Sequence, residues 1–273
     1  MNIPSITLND GNRIPQFGLG VFLMPAEETK EHVAYALANG YRHIDTAAIY
    51  GNEREVGAAI AESGIARDEI FVTTKLWNSR QTDAPAALAE SLEKLGLDHV
   101  DLYLIHWPTP DFDNYLQAWH DLEQLRSDGL TRSIGVSNFH QQHLRRVIEN
   151  SEVVPAVNQI EVHPSLGQFD LVDANTELGI ATEAWSPLGR RADLDDQVIA
   201  GIAHRLERTP AQVILRWHIQ RGLIVFPKSS SPERLRENAD IFDFELTADD
   251  MRAIDALDAG NRVGPDPETF NRR

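Results

Sequence analysis

The strongest constraint on how this chain folds is a repeat of strand, helix and glycine along nearly its whole length. Phe17–Phe22 reads as a strand and Glu28–Ala38 as a helix ending before Gly40. His43–Thr46 then leads to Glu53–Glu62 and Gly64, and Ile70–Trp77 to Ala84–Leu95 and Gly96. Val100–Trp107 leads to Tyr115–Arg126 and Gly129, Ser133–Ser137 to Gln141–Glu149, and Ala156–Val162 to Leu171–Leu178. Ile180–Trp185 is followed by two helical segments, Gln197–Glu207 and Ala211–Gln220, so one of them is extra. Ile224–Lys228 is the eighth strand, and Thr247–Leu257 is a further helix with Thr247 as its N-cap. Glycine just past a helix supplies the left-handed residue that ends it. The strands are near-continuous apolar runs, which is what a parallel sheet covered on both faces requires.

Eight such units predict a (β/α)8 TIM barrel, and 273 residues suit that fold, whose typical length is about 250. An open doubly wound sheet is the alternative. Gly18-Leu-Gly20 lacks the third glycine of the dinucleotide fingerprint. Ahead of the repeat, Ile6–Ile14 reads as a β-hairpin with Asp10-Gly11 in a type I′ turn. No linker or composition break interrupts residues 1–273, so one domain is expected. The chain has no cysteine, which excludes disulfides, thiolate catalysis and cysteine-ligated zinc. A net charge of −17 argues against a nucleic-acid or anionic-membrane surface. The start, Met-Asn-Ile-Pro-Ser, has no signal-peptide pattern, and no apolar run approaches the roughly 20 residues of a membrane span. The expectation is a cytoplasmic protein with no obligate protein partner.

Three consecutive strands end in ionisable groups. Asp45 closes the second, Lys75 the third and His106 the fourth, and Tyr50 lies in the loop after Asp45. A TIM barrel carries its active site at these C-terminal strand ends, so the four can converge. A lysine closing an apolar strand needs a partner, and Asp45 is the natural one. An ammonium beside Tyr50 would favour the phenolate and lower the phenol pKa from about 10. Tyr50 would then serve as a general acid and His106 would orient a carbonyl. Taken singly, each residue has a plainer reading: a helix cap, a loop aromatic, a lysine reaching solvent, a core histidine. Together at adjacent strand ends they read as an active site. Of the other histidines, His32, His99, His120, His140, His143, His204 and His218 read as surface residues, and His43 and His163 as structural. No metal site is expected.

The segments Gly40–Glu53 (Gly-Tyr-Arg-His-Ile-Asp-Thr-Ala-Ala-Ile-Tyr-Gly-Asn-Glu), Leu102–Pro108 (Leu-Tyr-Leu-Ile-His-Trp-Pro), Ile134–Phe139 (Ile-Gly-Val-Ser-Asn-Phe) and Asn158–Pro164 (Asn-Gln-Ile-Glu-Val-His-Pro) resemble those of the aldo-keto reductases. Phe226-Pro-Lys-Ser229 with Arg234, Glu237 and Asn238 extends the resemblance along essentially the whole chain, and within the family the chain looks most like the bacterial 2,5-diketo-D-gluconate reductases. The resemblance implies an NADPH/NADP+-dependent reductase of small-molecule carbonyls, with Asp45, Tyr50, Lys75 and His106 as the catalytic tetrad. It places Ser137, Asn138 and Gln159 on the nicotinamide carboxamide and Trp185 on the ring. Ser186, Leu188 and Gly189 would approach the pyrophosphate, with Arg190 beside them. Lys228, Ser229, Ser230, Ser231 and Arg234 would take the adenosine 2′-phosphate, and Glu237 and Asn238 the adenine. Phe22, Ala47, Trp77 and Trp107 would line the substrate pocket, and the short tail after Gly264 would leave it open. The N-terminal hairpin would close the bottom of the barrel. Two other readings stay open: a Schiff-base aldolase or lyase with Lys75 as nucleophile, and a non-catalytic NADPH-binding subunit.

Overall fold

A computed structural model describes residues 3–273. Strands β1 (Ser5–Thr7) and β2 (Arg13–Pro15) form an antiparallel hairpin. Eight parallel strands follow: β3 (Leu19–Gly20), β4 (His43–Asp45), β5 (Phe71–Leu76), β6 (Val100–Ile105), β7 (Thr131–Ser137), β8 (Val157–Glu161), β9 (Ala181–Trp185) and β10 (Ile224–Val225). They pair in sequence order, and a parallel bridge from Phe17 to Val225 joins the two ends of the sheet. Gly18 N donates to Val225 O at 2.8 Å and Val225 N to Gln16 O at 3.0 Å, which closes the barrel.

Helices α1 (Ala26–Ala38), α2 (Glu53–Glu62), α3 (Ala84–Leu95), α4 (Tyr115–Ser127), α5 (Gln141–Glu149) and α6 (Phe169–Glu177) each cross between consecutive strands. Both α7 (Gln197–Leu206) and α8 (Pro210–Gln220) lie between β9 and β10, and α9 (Pro232–Ala239) and α10 (Ala248–Asp255) follow. Every residue of β5 and β6 is buried, as expected of strands covered by helices outside and packed side chains inside. Helices α2 and α3 approach so closely that a Cβ on Gly57 would lie 2.0 Å from Leu95 O, so only glycine fits there.

The hairpin seals the N-terminal end of the barrel. Ile14 and Leu8 are buried in one cluster with Phe71, Leu102, Leu104, Val157 and Ile224. Burying a side chain such as Ile14 contributes about 1.5–3 kcal/mol. The turn is not type I′. Gly11 has φ 88°, but Asp10 is not among the residues with positive φ. Gly11 N bonds Leu8 O, Leu8 N bonds Asn12 O, and Asn12 N bonds Asp10 Oδ1. This is the longer loop with one left-handed glycine, in which Asp10 acts through its side chain.

Two strands are shorter than their apolar runs. After Gly20 the chain turns through Leu23 at φ 56°, and Phe22 and Leu23 stand exposed beside the opening of the barrel. After Val225, Phe226 leaves the sheet and its carbonyl packs over Gly20. Among the described residues, no helix is long and apolar enough to cross a membrane.

Candidate active site

The C-terminal strand ends open into a cleft of about 440 Å³. Asp45 ends β4. Tyr50 ends a single 3-10 turn, Ala48–Tyr50, that begins from the buried Ala47 and stops at Gly51 with φ 72°. Lys75 lies near the end of β5, and His106 follows β6 with its amide bonded to Leu76 O at 3.1 Å. The register of adjacent strands therefore brings all four together.

Lys75 is wholly buried, and its ammonium donates to three oxygens: Asp45 Oδ1 at 2.7 Å, Thr46 O at 2.8 Å and Tyr50 Oη at 3.4 Å. An ammonium has three protons, so each one is committed. Burial alone would lower the lysine, but the Asp45 charge, followed by Tyr50 and Glu183, holds it above its ordinary value. Burial raises the Asp45 carboxyl, and Lys75 and Gln159 oppose this only in part. The pair is best described as one buried unit anchored by the lysine charge.

Tyr50 departs from the sequence expectation. Its phenol is raised from about 10, because burial outweighs the pull of Lys75 and Asp45 adds to the rise. The phenol is thus fully protonated at neutral pH. Its oxygen accepts from Lys75, which leaves its own proton free for the cleft. The His106 imidazole is held well below its ordinary value, by burial first and by Lys75 second. It is neutral, a hydrogen-bonding group rather than an acid. Trp77 packs edge-on to it at 5.3 Å, and Tyr50 lies 5.9 Å away.

Behind the tetrad, Gln159 Nε2 donates to Asp45 Oδ2 at 2.9 Å and to Glu183 Oε2 at 2.7 Å. Ser137 Oγ donates to Gln159 O, and Asn138 Nδ2 donates to His106 O and Ser137 Oγ. Trp185 Nε1 donates to Asn138 Oδ1 at 2.8 Å, which fixes the indole at the edge of the cleft. Ser137, Asn138, Gln159, Trp185, Ser186 and Lys228 all line the cleft, together with Phe22, Trp77 and Trp107.

Leu188, Gly189, Ser229, Ser230, Ser231, Arg234, Glu237 and Asn238 lie outside that lining, on its β9 and β10 flanks. Ser231 caps α9 by accepting from Arg234 N, and Glu237 Oε1 accepts from Thr209 Oγ1. The β9 flank is conformationally strained: Ser186, Arg190 and Arg191 have φ of 49°, 50° and 80°. Left-handed backbone costs a non-glycine residue on the order of 1 kcal/mol.

Several expectations are corrected. Ala47 is fully buried and does not line the cleft; its carbonyl starts the turn that carries Tyr50. The tail does not leave the pocket open. Phe270 packs on Trp107 with centroids 4.4 Å apart, Asn78 Nδ2 donates to Arg272 O at 2.7 Å, and Pro265 joins them in the wall. Val263 and Gly264 donate their amides to the buried Glu161, which itself meets His163 Nε2 at 3.2 Å. His163 Nδ1 lies 2.9 Å from Asp193. Burial would lower this imidazole, but Asp193 and Glu161 together raise it. So His163 ties the tail to the β9 loop. His218, His143 and His32 are buried rather than on the surface. His218 Nε2 faces Pro187 O at 3.0 Å, and burial pushes it down to about 3.

The tail also bears on Trp185. A Cβ on Gly264 would lie 2.3 Å from Trp185 Cη2 and 3.1 Å from Glu161 Oε2. Gly264→Ala must therefore displace either the tail or the indole. Changed tryptophan fluorescence and an altered substrate KM are expected; wild-type values for both would show that the tail yields freely.

The sequence relationships agree with this geometry. The model of the aldo/keto reductase family matches residues 16–259. An aldo-keto reductase of Mycolicibacterium smegmatis is 57% identical over 98% of both chains. The methylglyoxal reductase DkgA of Yersinia pestis is 52% identical over 98% of this chain and 97% of its own. A crystal structure of a Bombyx mori aldo-keto reductase in complex with NADP superposes with a TM-score of 0.92 at 41% identity, covering 97% of this chain and 96% of that one. This chain belongs to the aldo/keto reductase family.

Proposed function

We propose that the chain reduces aldehydes and ketones with NADPH, with Tyr50 as the proton donor. The observation that carries this reading is the commitment of all three Lys75 protons, which leaves the Tyr50 hydroxyl as a donor at the floor of an aromatic cleft. The relatives named for methylglyoxal reduction and the NADP-bound structural neighbour support the same reaction class.

The residues fit the cofactor. Among the described residues, Lys228, Arg190 and Arg234 form no ion pair, in a chain with 17 more acidic than basic groups. Lys228 and Arg234, at the capped N-terminus of α9, suit a phosphate. Lys228, Ser229, Ser230, Ser231 and Arg234 would hold the 2′-phosphate, and Glu237 and Asn238 would lie near the adenine. Ser186, Leu188, Gly189 and Arg190 would approach the pyrophosphate, Ser137, Asn138 and Gln159 the carboxamide, and Trp185 the ring. When bound, the reduced nicotinamide supplies a hydride to the carbonyl carbon.

The protein supplies the rest. Neutral His106 donates a hydrogen bond that holds the carbonyl oxygen. As charge grows on that oxygen, Tyr50 gives up its proton and the Lys75 ammonium stabilises the phenolate left behind. Asp45 keeps Lys75 in place. Trp77, Trp107, Phe22 and Phe270 exclude water and favour small or flat carbonyls. Methylglyoxal-like dicarbonyls, keto-sugar acids and aromatic aldehydes all fit this description.

A Schiff base at Lys75 is disfavoured, because a wholly buried ammonium with every proton bonded is a poor nucleophile. NADPH oxidation against a panel of these carbonyls tests the proposal: turnover is expected, and binding of NADPH without turnover of any carbonyl would favour a non-catalytic role. Arg234→Ala should weaken NADPH at least about tenfold more than NADH, in line with a lost charge-assisted contact. Equal weakening would show that Arg234 does not read the 2′-phosphate.

A further inference from the structure

Glu183 is a carboxylic acid in the middle of β9 with no exposed surface. Its Oε2 accepts from Gln159 Nε2 at 2.7 Å, and the same nitrogen donates to Asp45 Oδ2 at 2.9 Å. A primary amide has two N–H donors and one acceptor oxygen. Both Gln159 donors are committed to carboxyl groups inside the barrel. Turning the amide over would press its oxygen against two acidic groups. Gln159 lines the cleft, so the atom it has left to offer there is its oxygen.

The neighbours sharpen this. Asn138 spends Nδ2 on His106 O and Ser137 Oγ and spends Oδ1 on Trp185 Nε1. Ser137 donates its own hydroxyl to Gln159 O. Of these side-chain acceptors, Gln159 Oε1 is the one that accepts no hydrogen bond among the described residues. Among the described residues, Glu183 Oε1 has no hydrogen-bond partner; it lies 3.9 Å from His43 Nε2. Burial and then the Asp45 charge push Glu183 up to about 8, while its Oε2 stays within hydrogen-bond reach of the Gln159 amide nitrogen.

We propose that Glu183 is a positioning residue of the cofactor site: by fixing the polarity of the Gln159 amide, it makes the site select a pyridine ring whose substituent donates an N–H, as a carboxamide does. The inference rests on the NADPH reading above. If Glu183 is absent, Asp45 alone holds one N–H, the other is left unpaired, and the amide can turn over.

The test compares NADP+ with its 3-acetylpyridine analogue, which has the carbonyl but no N–H. Dissociation constants are measured by tryptophan fluorescence on the wild type, Glu183→Gln and Glu183→Met. Glu183→Gln keeps an acceptor of the same reach and should hold the wild-type preference for NADP+ to within about twofold. Glu183→Met removes the acceptor and should lose about fivefold to tenfold of that preference, the size of one hydrogen bond. A folded Glu183→Met with the wild-type preference overturns the assignment. Should that variant not fold, Gln159→Leu decides: a retained preference overturns the assignment, and a lost one supports it. A wild type that binds neither nucleotide would overturn the NADPH reading instead, so the two failures are distinct.

Discussion

Tyr50→Phe is expected to bind NADPH as the wild type does and to lose turnover by about a thousandfold, within the range for a positioned general acid. The substitution removes one oxygen, and Phe22 and His106 still pack the ring. Lys75 keeps its bonds to Asp45 and Thr46, so the fold should hold. The result to look for is a fall in kcat with little change in cofactor Kd. Turnover within tenfold of the wild type would move the proton donor to another group. His106 could not take over directly, because burial and Lys75 keep its imidazole neutral.

Lys75→Met should destabilise the protein as well as inactivate it. The substitution leaves the Asp45 carboxylate 2% exposed with Gln159 as its remaining side-chain partner. Breaking one side of a buried ion pair costs about 3–5 kcal/mol. In a chain of this size that lowers Tm by roughly 10 °C. Replacing both partners, as in Lys75→Met with Asp45→Leu, should return most of the lost Tm, because apolar groups of similar volume often serve a core as well as a buried pair does. Activity should not return in the double variant, since Tyr50 would still lack its cation. A single variant as stable as the wild type would show that Asp45 gains its proton at little cost when the lysine is gone. The double-variant cycle separates the stability role of the pair from its proposed catalytic role.

The barrel was legible because its strands are covered on both faces and leave unbroken apolar runs between helices ended by glycine. Where apolar residues serve the cleft instead of the sheet, the pattern misleads. Phe22 and Phe226 extend the first and last runs but line the cleft, so β3 and β10 have two residues each. The convergence of Asp45, Tyr50, Lys75 and His106 was legible because ionisable groups at adjacent strand ends are conspicuous. The protonation state of Tyr50 was not, since it depends on how deeply the phenol is buried. The tail left no periodic signal; its place is set by distant contacts, Glu161 for its start and Trp107 and Asn78 for its end. The histidine positions failed for a similar reason: His218 lies on a helix, but on the face turned into the protein. Glu183 was visible as an acid inside Ala181-Thr-Glu-Ala-Trp185, a pattern that signals either a register error or a buried partner, and Gln159 is that partner.

The proposed reaction moves a hydride directly onto a carbonyl carbon in this cleft while the protein supplies the proton. The most direct test is a single turnover of wild-type protein with methylglyoxal and NADPH deuterated at nicotinamide C4 on the transferred face. Direct transfer puts one deuterium on the new carbinol carbon and releases none to water. Deuterium in the solvent, or an alcohol formed without it, would contradict the claim.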